Sequence, residues 1–259
     1  MSDFFAYEYD YGFKLFSTTH IMFMIGLVII WIVLLVIMKN VKDEKARKKF
    51  RYVLAIILFI TETIRIIWLL IGDAFILKEH LPLHLCGVII YVCCIMLITK
   101  NQTIFDICFF LGLGGALQPI VTPGLRYAFP HFIYFQAFIA HGGIFFSVLY
   151  MLIIEKMRPK NLLSLVKVFI WGNVYMAVVY VINLILDSNY MYLMGPTPNP
   201  SLVDILIKIF GEPPLHIIGL ELIAIATFII IYMPFLIKDI ISKIKKNERE
   251  KQNSMVANK

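Results

Sequence analysis

The chain has 259 residues, of which 60% are apolar and only 16% charged, and its mean hydropathy is +0.83. Soluble domains run near 45–50% apolar and about 25% charged, so an ordinary water-soluble fold is excluded and lipid must solvate much of the surface. The net charge of +7 is not a nucleic-acid signal, because the charges sit in short segments between apolar runs, as they do in membrane proteins.

Residues 1–19 mix acidic and aromatic residues and lack a basic segment ahead of an apolar one, so no cleavable signal peptide is expected. Seven apolar runs follow, at His20–Met38, Tyr52–Gly72, Leu83–Thr99, Ile104–Ile120, Phe132–Ile154, Leu162–Leu186 and His216–Ile237. Each is read as a helix crossing a hydrocarbon core of roughly 30 Å at about 1.5 Å per residue. The third and fourth are the shortest. Lys100-Asn101-Gln102-Thr103 is a tight connection that makes them an antiparallel hairpin. The connection Asp187–Leu215 carries Gly195-Pro196-Thr197-Pro198-Asn199-Pro200, then an apolar stretch Leu202–Phe210 that predicts a short helix on the membrane surface, then Pro213-Pro214. A lid over a pocket and a plain connection both fit it. The tail Lys238–Lys259 keeps an apolar residue every three or four positions before turning highly charged, which predicts a helical extension that frays into disorder. Basic tails attract anionic headgroups, although ordinary positive-inside anchoring is the simpler account of this one. The chain therefore reads as all-α, a seven-transmembrane helical domain over residues 1–237 with a basic tail over 238–259.

Lys and Arg set the orientation. Lys39–Arg51 holds seven, Glu155–Asn161 three and Lys238–Lys259 seven, and with Lys100 and Lys167 this side has nineteen of the 24. The other side has Lys14, Lys78, Arg126 and Lys208. Basic loops stay cytoplasmic, so the reading is a multi-pass cell-membrane protein with its N-terminus outside and its C-terminus inside.

Cys86, Cys93, Cys94 and Cys108 all lie within spans, which implies no disulfide framework. No CxxC, Walker, GxSxG or HExxH motif is present, and no internal repeat of the kind that builds many transporters. The polar residues inside spans are then the functional candidates, because they are costly in lipid. Glu62 and Arg65 stand at i, i+3 and can pair; a structural ion pair and an Arg65 fork facing a phosphate or carboxylate headgroup are both open. His84 and Cys86 open the third span, two residues apart and so on different faces. His141 lies near mid-membrane in the fifth, five residues after Gln136 and just before Gly142 and Gly143. Gly112, Gly114, Gly115 and Ala116 form a second small-residue face, most simply for helix packing. Asn173 and Asn183 lie in the sixth span, His216 and Glu221 in the seventh. All six histidines belong to one half of the membrane or its loops, with His80 in a loop.

Four elements in order resemble the YwaF family of seven-span bacterial membrane proteins, which is similar in profile to an animal transmembrane acyltransferase that remodels ether phospholipids. They are Phe16 with His20, Pro82-Leu83-His84-Leu85-Cys86, Gly114-Gly115-Ala116-Leu117-Gln118-Pro119, and His141-Gly142, and they extend the likeness over about Phe13 to Ile237. The resemblance implies a transacylase that moves a fatty acyl chain from a phospholipid to a lysophospholipid, with Cys86 as nucleophile and His141 as base. Membrane phospholipids and lysophospholipids would be its partners, with no cofactor, no metal and no nucleic acid. His84, Arg65, Gln118, His20 and Glu221 are the substrate-binding candidates beside that pair.

The chemistry is self-consistent. A base-assisted thiolate forms a thioester, and scarce water favours passage of the acyl group to a lipid hydroxyl. Catalysis predicts that Cys86 and His141 come within hydrogen-bond reach or within one water of each other; a small buried residue is the alternative role for Cys86. Three rivals stand beside this reading. One is a lipid-ester hydrolase on the same pair. Another is a non-enzymatic transporter or binding protein for lipids or small molecules. The third is a metal site drawing on His20, His84, His131 and His216, with Glu221 behind them.

Overall fold

Helix formation follows the apolar runs and their capping residues. The computed structural model describes residues 3–7, 12–196 and 202–257. Its helices are α1 (Thr18–Asn40), α2 (Glu44–Ile71), α3 (Leu85–Thr99), α4 (Gln102–Ile107), α5 (Leu113–Val121), α6 (Phe132–Ile153), α7 (Leu162–Leu186), α8 (Leu202–Phe210) and α9 (His216–Ala257). Side-chain oxygens satisfy the free N–H groups where several begin. Ser17 accepts from His20, Asp43 from Lys45 and Ala46, Asn101 from Thr103 and Ile104, and Asn161 from Ser164. The hairpin between α3 and α4 turns on Lys100, which adopts the left-handed conformation with φ 53°.

The chain is all-α, and no strand occurs among the described residues. Among the described residues six helical segments are long and apolar enough to cross a membrane, which makes this a multi-pass membrane protein. α3 is equally apolar but has 15 residues, reaching about 22 Å. The fourth span is one unbroken helix, Gln102–Val121, in which a π-helical turn at Cys108–Gly112 joins α4 to α5. Such turns widen a helix locally and recur at functional positions.

α6 is the axis of the bundle. It packs against α1, α2, α3 and α5, and Tyr134, Phe138, Ile144, Val148, Tyr150 and Met151 are buried along it. α1 and α7 lie at the periphery, their exposed Ile, Val and Leu side chains facing outward. The small-residue faces are packing surfaces. A β-carbon on Gly142 would meet Leu27 and Trp31, one on Gly143 would stand 2.6 Å from Leu58, and one on Gly114 would stand 2.9 Å from Thr227. Leu58 is fully buried and has no room to retreat. Gly143→Ala is therefore expected to lower stability by about 1–3 kcal/mol through overpacking, measured by thermal unfolding in detergent. Gly26→Ala, with nothing within 4 Å, should leave the melt unchanged or raise it slightly.

The loops sort to two ends. At one, Lys100 bridges Glu155 at 2.5 Å and Glu44 at 3.6 Å, Arg51 lies 3.6 Å from Glu155, and Arg158 pairs with Asp239 at 2.9 Å. The basic connections thus gather beside the far part of α9. At the other end the N-terminal segment covers the bundle. Tyr7 stacks on Trp68 and donates to its carbonyl, the Trp68 indole donates to the Phe5 carbonyl at 3.1 Å, and Tyr127 donates to the Tyr7 carbonyl at 2.8 Å.

The expected short helix Leu202–Phe210 is present and lies against α9, where Gly219 admits the side chains of Leu206 and Phe210. Thr197, Pro198, Asn199 and Pro200 of the proline-rich stretch lie outside the described residues. The tail departs from the expected fraying, because α9 continues to Ala257. Exposed Ile240, Ile241 and Ile244 extend its apolar rows past Ile237, and Lys246 pairs with Glu250 at i, i+4, spacings that favour helix.

Candidate active site

The in-span polar residues form one connected group and several separate ties. Glu62 is buried, and Arg65 grips it with both nitrogens of its fork, Nη2 donating at 2.6 Å and Nε at 3.1–3.2 Å. Gln136 of α6 donates to the same carboxylate at 3.4 Å. His141 follows five residues beyond Gln136 on α6. His141 Nδ1 lies 2.7 Å from the Ala137 carbonyl. A carbonyl only accepts, so Nδ1 carries the proton and Nε2 keeps a lone pair, with no hydrogen-bond partner among the described residues.

Cys86 sits in the first turn of α3, half-buried, and its thiol donates weakly to the Gly115 carbonyl at 3.7 Å. No hydrogen bond joins Cys86 to His141 among the described residues, so the direct contact expected of a catalytic pair is not made in this conformation. Catalytic hydrogen bonds are often open in a ligand-free enzyme. His84 occupies the N-cap position of α3 without a side-chain capping bond; its Nδ1 accepts from the Met191 backbone at 3.2 Å while Tyr190 and Tyr192 flank the ring. Its Nε2–H is left for another acceptor.

The remaining candidates are occupied elsewhere. His20 is buried, with Nδ1 accepting from Phe16 and Nε2 donating to the Ile120 carbonyl at 3.0 Å, a link from α1 to the end of α5. Gln118 is exposed and donates to Thr122 one turn on. Glu221 accepts from Asn173 at 3.2 Å, joining α9 to α7. The four imidazoles weighed as a metal site reach different groups: His20 the Ile120 carbonyl, His84 the Met191 amide, His131 the Ala6 carbonyl and His216 the Tyr192 carbonyl. Among the described residues no three His, Cys, Asp or Glu side chains gather for a metal.

Two residues outside the sequence-derived site candidates belong to this description. Gln136 was noted but not linked to Glu62, and only the packing of α6 on α2 makes that link. Asp106, a buried carboxylate bonded to Gln102 at 2.8 Å, was findable by the same rule that singled out Glu62, an acid inside an apolar run.

The loop end also carries titratable groups. Burial holds His80 below the ordinary imidazole value of 6.5, Arg65 pushing the same way and Glu79 opposing. His131 is held low by burial against the bond to the Ala6 carbonyl. Below 6.5 the unfolded chain then binds protons that the folded one refuses, so stability rises with pH in that range. Melting temperatures should be flat above about pH 7 and fall as pH drops from 6.5 toward 5, and His80→Gln should reduce the slope.

No curated protein and no solved structure matches the chain. One family model does, over residues 15–232. It covers the opening histidine, the Cys86 segment, the glycine-rich segment of α5 and His141. The chain belongs to the TMEM164 family.

Proposed function

We propose that this membrane protein is a phospholipid acyltransferase that moves a fatty acyl chain onto a lysophospholipid through a thioester on Cys86, with His141 as base. Membership of the TMEM164 family over residues 15–232 carries the reading, since that is the family of the animal ether-lipid acyltransferase in the resemblance above. The tautomer of His141 supports it: with Nδ1–H engaged by Ala137, Nε2 is free to take a proton.

In the proposed cycle His141 Nε2 takes the Cys86 thiol proton as the sulfur attacks the donor's ester carbonyl. The ester C–O bond breaks, and the departing lysophospholipid oxygen receives that proton. The acceptor's hydroxyl then gives its proton to His141 and attacks the thioester, and the proton returns to sulfur. His84 Nε2–H and the unengaged Nη1 of Arg65 are the proposed headgroup contacts; His20, Gln118 and Glu221, already committed to protein partners, hold the surrounding helices. The proposed orientation puts the N-terminus outside the cell and the basic loops in the cytoplasm, in line with their gathering at one end of the bundle.

The test is to incubate purified protein with a phospholipid carrying a labelled acyl chain and an unlabelled lysophospholipid. Label is expected in the acceptor, and His141→Gln should slow its appearance about 10²–10⁴-fold, the usual worth of a positioned base. Label released only as free fatty acid would make the protein a hydrolase. Absence of both turnover and acyl adduct would overturn the proposal.

A further inference from the structure

We propose that the cleft between α4 and the first turns of α7 binds a lipid headgroup bearing both a phosphate and a primary ammonium. The cleft holds about 210 Å³, on the order of seven waters at about 30 Å³ each. Gln102 and Asp106 of α4 form one wall; Lys160, Ser164 and Lys167 form the other. It opens at the end of the bundle where the basic connections meet, away from Cys86 and His141, and does not rest on the acyl-transfer reading.

Asp106 is 8% exposed. One carboxylate oxygen accepts from Gln102 at 2.8 Å, and the Gln102 amide is itself pinned to the Arg158 carbonyl at 3.0 Å. The Ser164 hydroxyl neighbours the same carboxylate. Lys160 and Lys167 act on Asp106 electrostatically, yet neither forms an ion pair with it among the described residues. Both lysines are exposed, Lys160 just ahead of α7 and Lys167 in its second turn. Cations and carboxylate thus line one cleft without pairing among the described residues.

A single cation would leave the lysines unmatched, and a single anion would meet a buried carboxylate. A group with an ammonium at one end and a phosphate at the other matches both. The primary amine suits Asp106 and Ser164 because it offers N–H donors, which a quaternary amine lacks. Orientation by basic loops accounts for lysines here but not for a buried acid set between them. The lipid origin follows from the flank of the cleft: Trp171 lines it and is 58% exposed beside Ile170 at 57%, an apolar, interface-type surface continuous with the lipid-facing side of α7.

The test is native mass spectrometry of the delipidated full chain in detergent, titrated with phosphatidylethanolamine, phosphatidylcholine or phosphatidylglycerol. Wild type is expected to retain phosphatidylethanolamine at least fivefold better than the other two. Asp106→Asn should reduce it to their level, and the Lys160→Gln/Lys167→Gln pair should weaken phosphatidylethanolamine and phosphatidylglycerol together. Competition by soluble glycerophosphoethanolamine would show that the headgroup alone suffices, and failure to compete would show that the acyl chains are also needed; either upholds the site. Equal retention of all three lipids by wild type, a result that needs no variant to fold, would overturn it. So would an unchanged preference in Asp106→Asn.

Discussion

Cys86→Ala is expected to abolish both label transfer and acyl-adduct formation, lowering turnover by roughly 10³-fold or more, the scale on which loss of a nucleophile acts. The chain carries its own controls. Cys93, Cys94 and Cys108 are buried, whereas Cys86 is only half-buried. A hydroxylamine-sensitive mass increase should map to Cys86 alone and vanish in the variant. The structural cost should be small, because among the described residues the one polar contact given up is the weak bond from its thiol to the Gly115 carbonyl, on the order of 1 kcal/mol or less. An adduct that persists in Cys86→Ala would remove the thioester from the mechanism. A variant that melts like wild type but transfers nothing would separate chemistry from folding.

Arg65→Met should be among the most destabilising single changes in the bundle. It leaves Glu62, whose side chain is 4% exposed, without the fork that holds it at 2.6 Å; among the described residues Gln136 alone remains, at 3.4 Å. Stranding one partner of a buried pair costs about 3–5 kcal/mol, a fall on the order of 10 °C in the melt. Glu62→Gln combined with Arg65→Met removes the stranded charge and should recover most of the loss. Thermal unfolding of wild type, the single variant and the double variant measures this directly. A single variant that melts within a degree or two of wild type would mean that the carboxylate is already neutral or has another partner.

The sequence by itself determined what depends on local or summed quantities. The apolar runs located the apolar helices, the positions of Lys and Arg grouped the connections into two sets, and the apolar stretch Leu202–Phe210 marked α8. Glu62 and Arg65 were legible as a pair because i, i+3 places two side chains on one helical face whatever surrounds them. The tertiary structure alone decided which faces meet. His20 reaches Ile120, a hundred residues away, Gln136 reaches Glu62, Asn173 reaches Glu221, and Lys100 and Arg51 converge on Glu155. None of these follows from spacing. In a soluble helix the polar face marks the outside and so sets the rotation about the axis. Spans such as α1 and α7 are apolar nearly all round because lipid accepts what water rejects, so hydropathy locates a helix along the chain and leaves its rotation, and hence its partners, to packing.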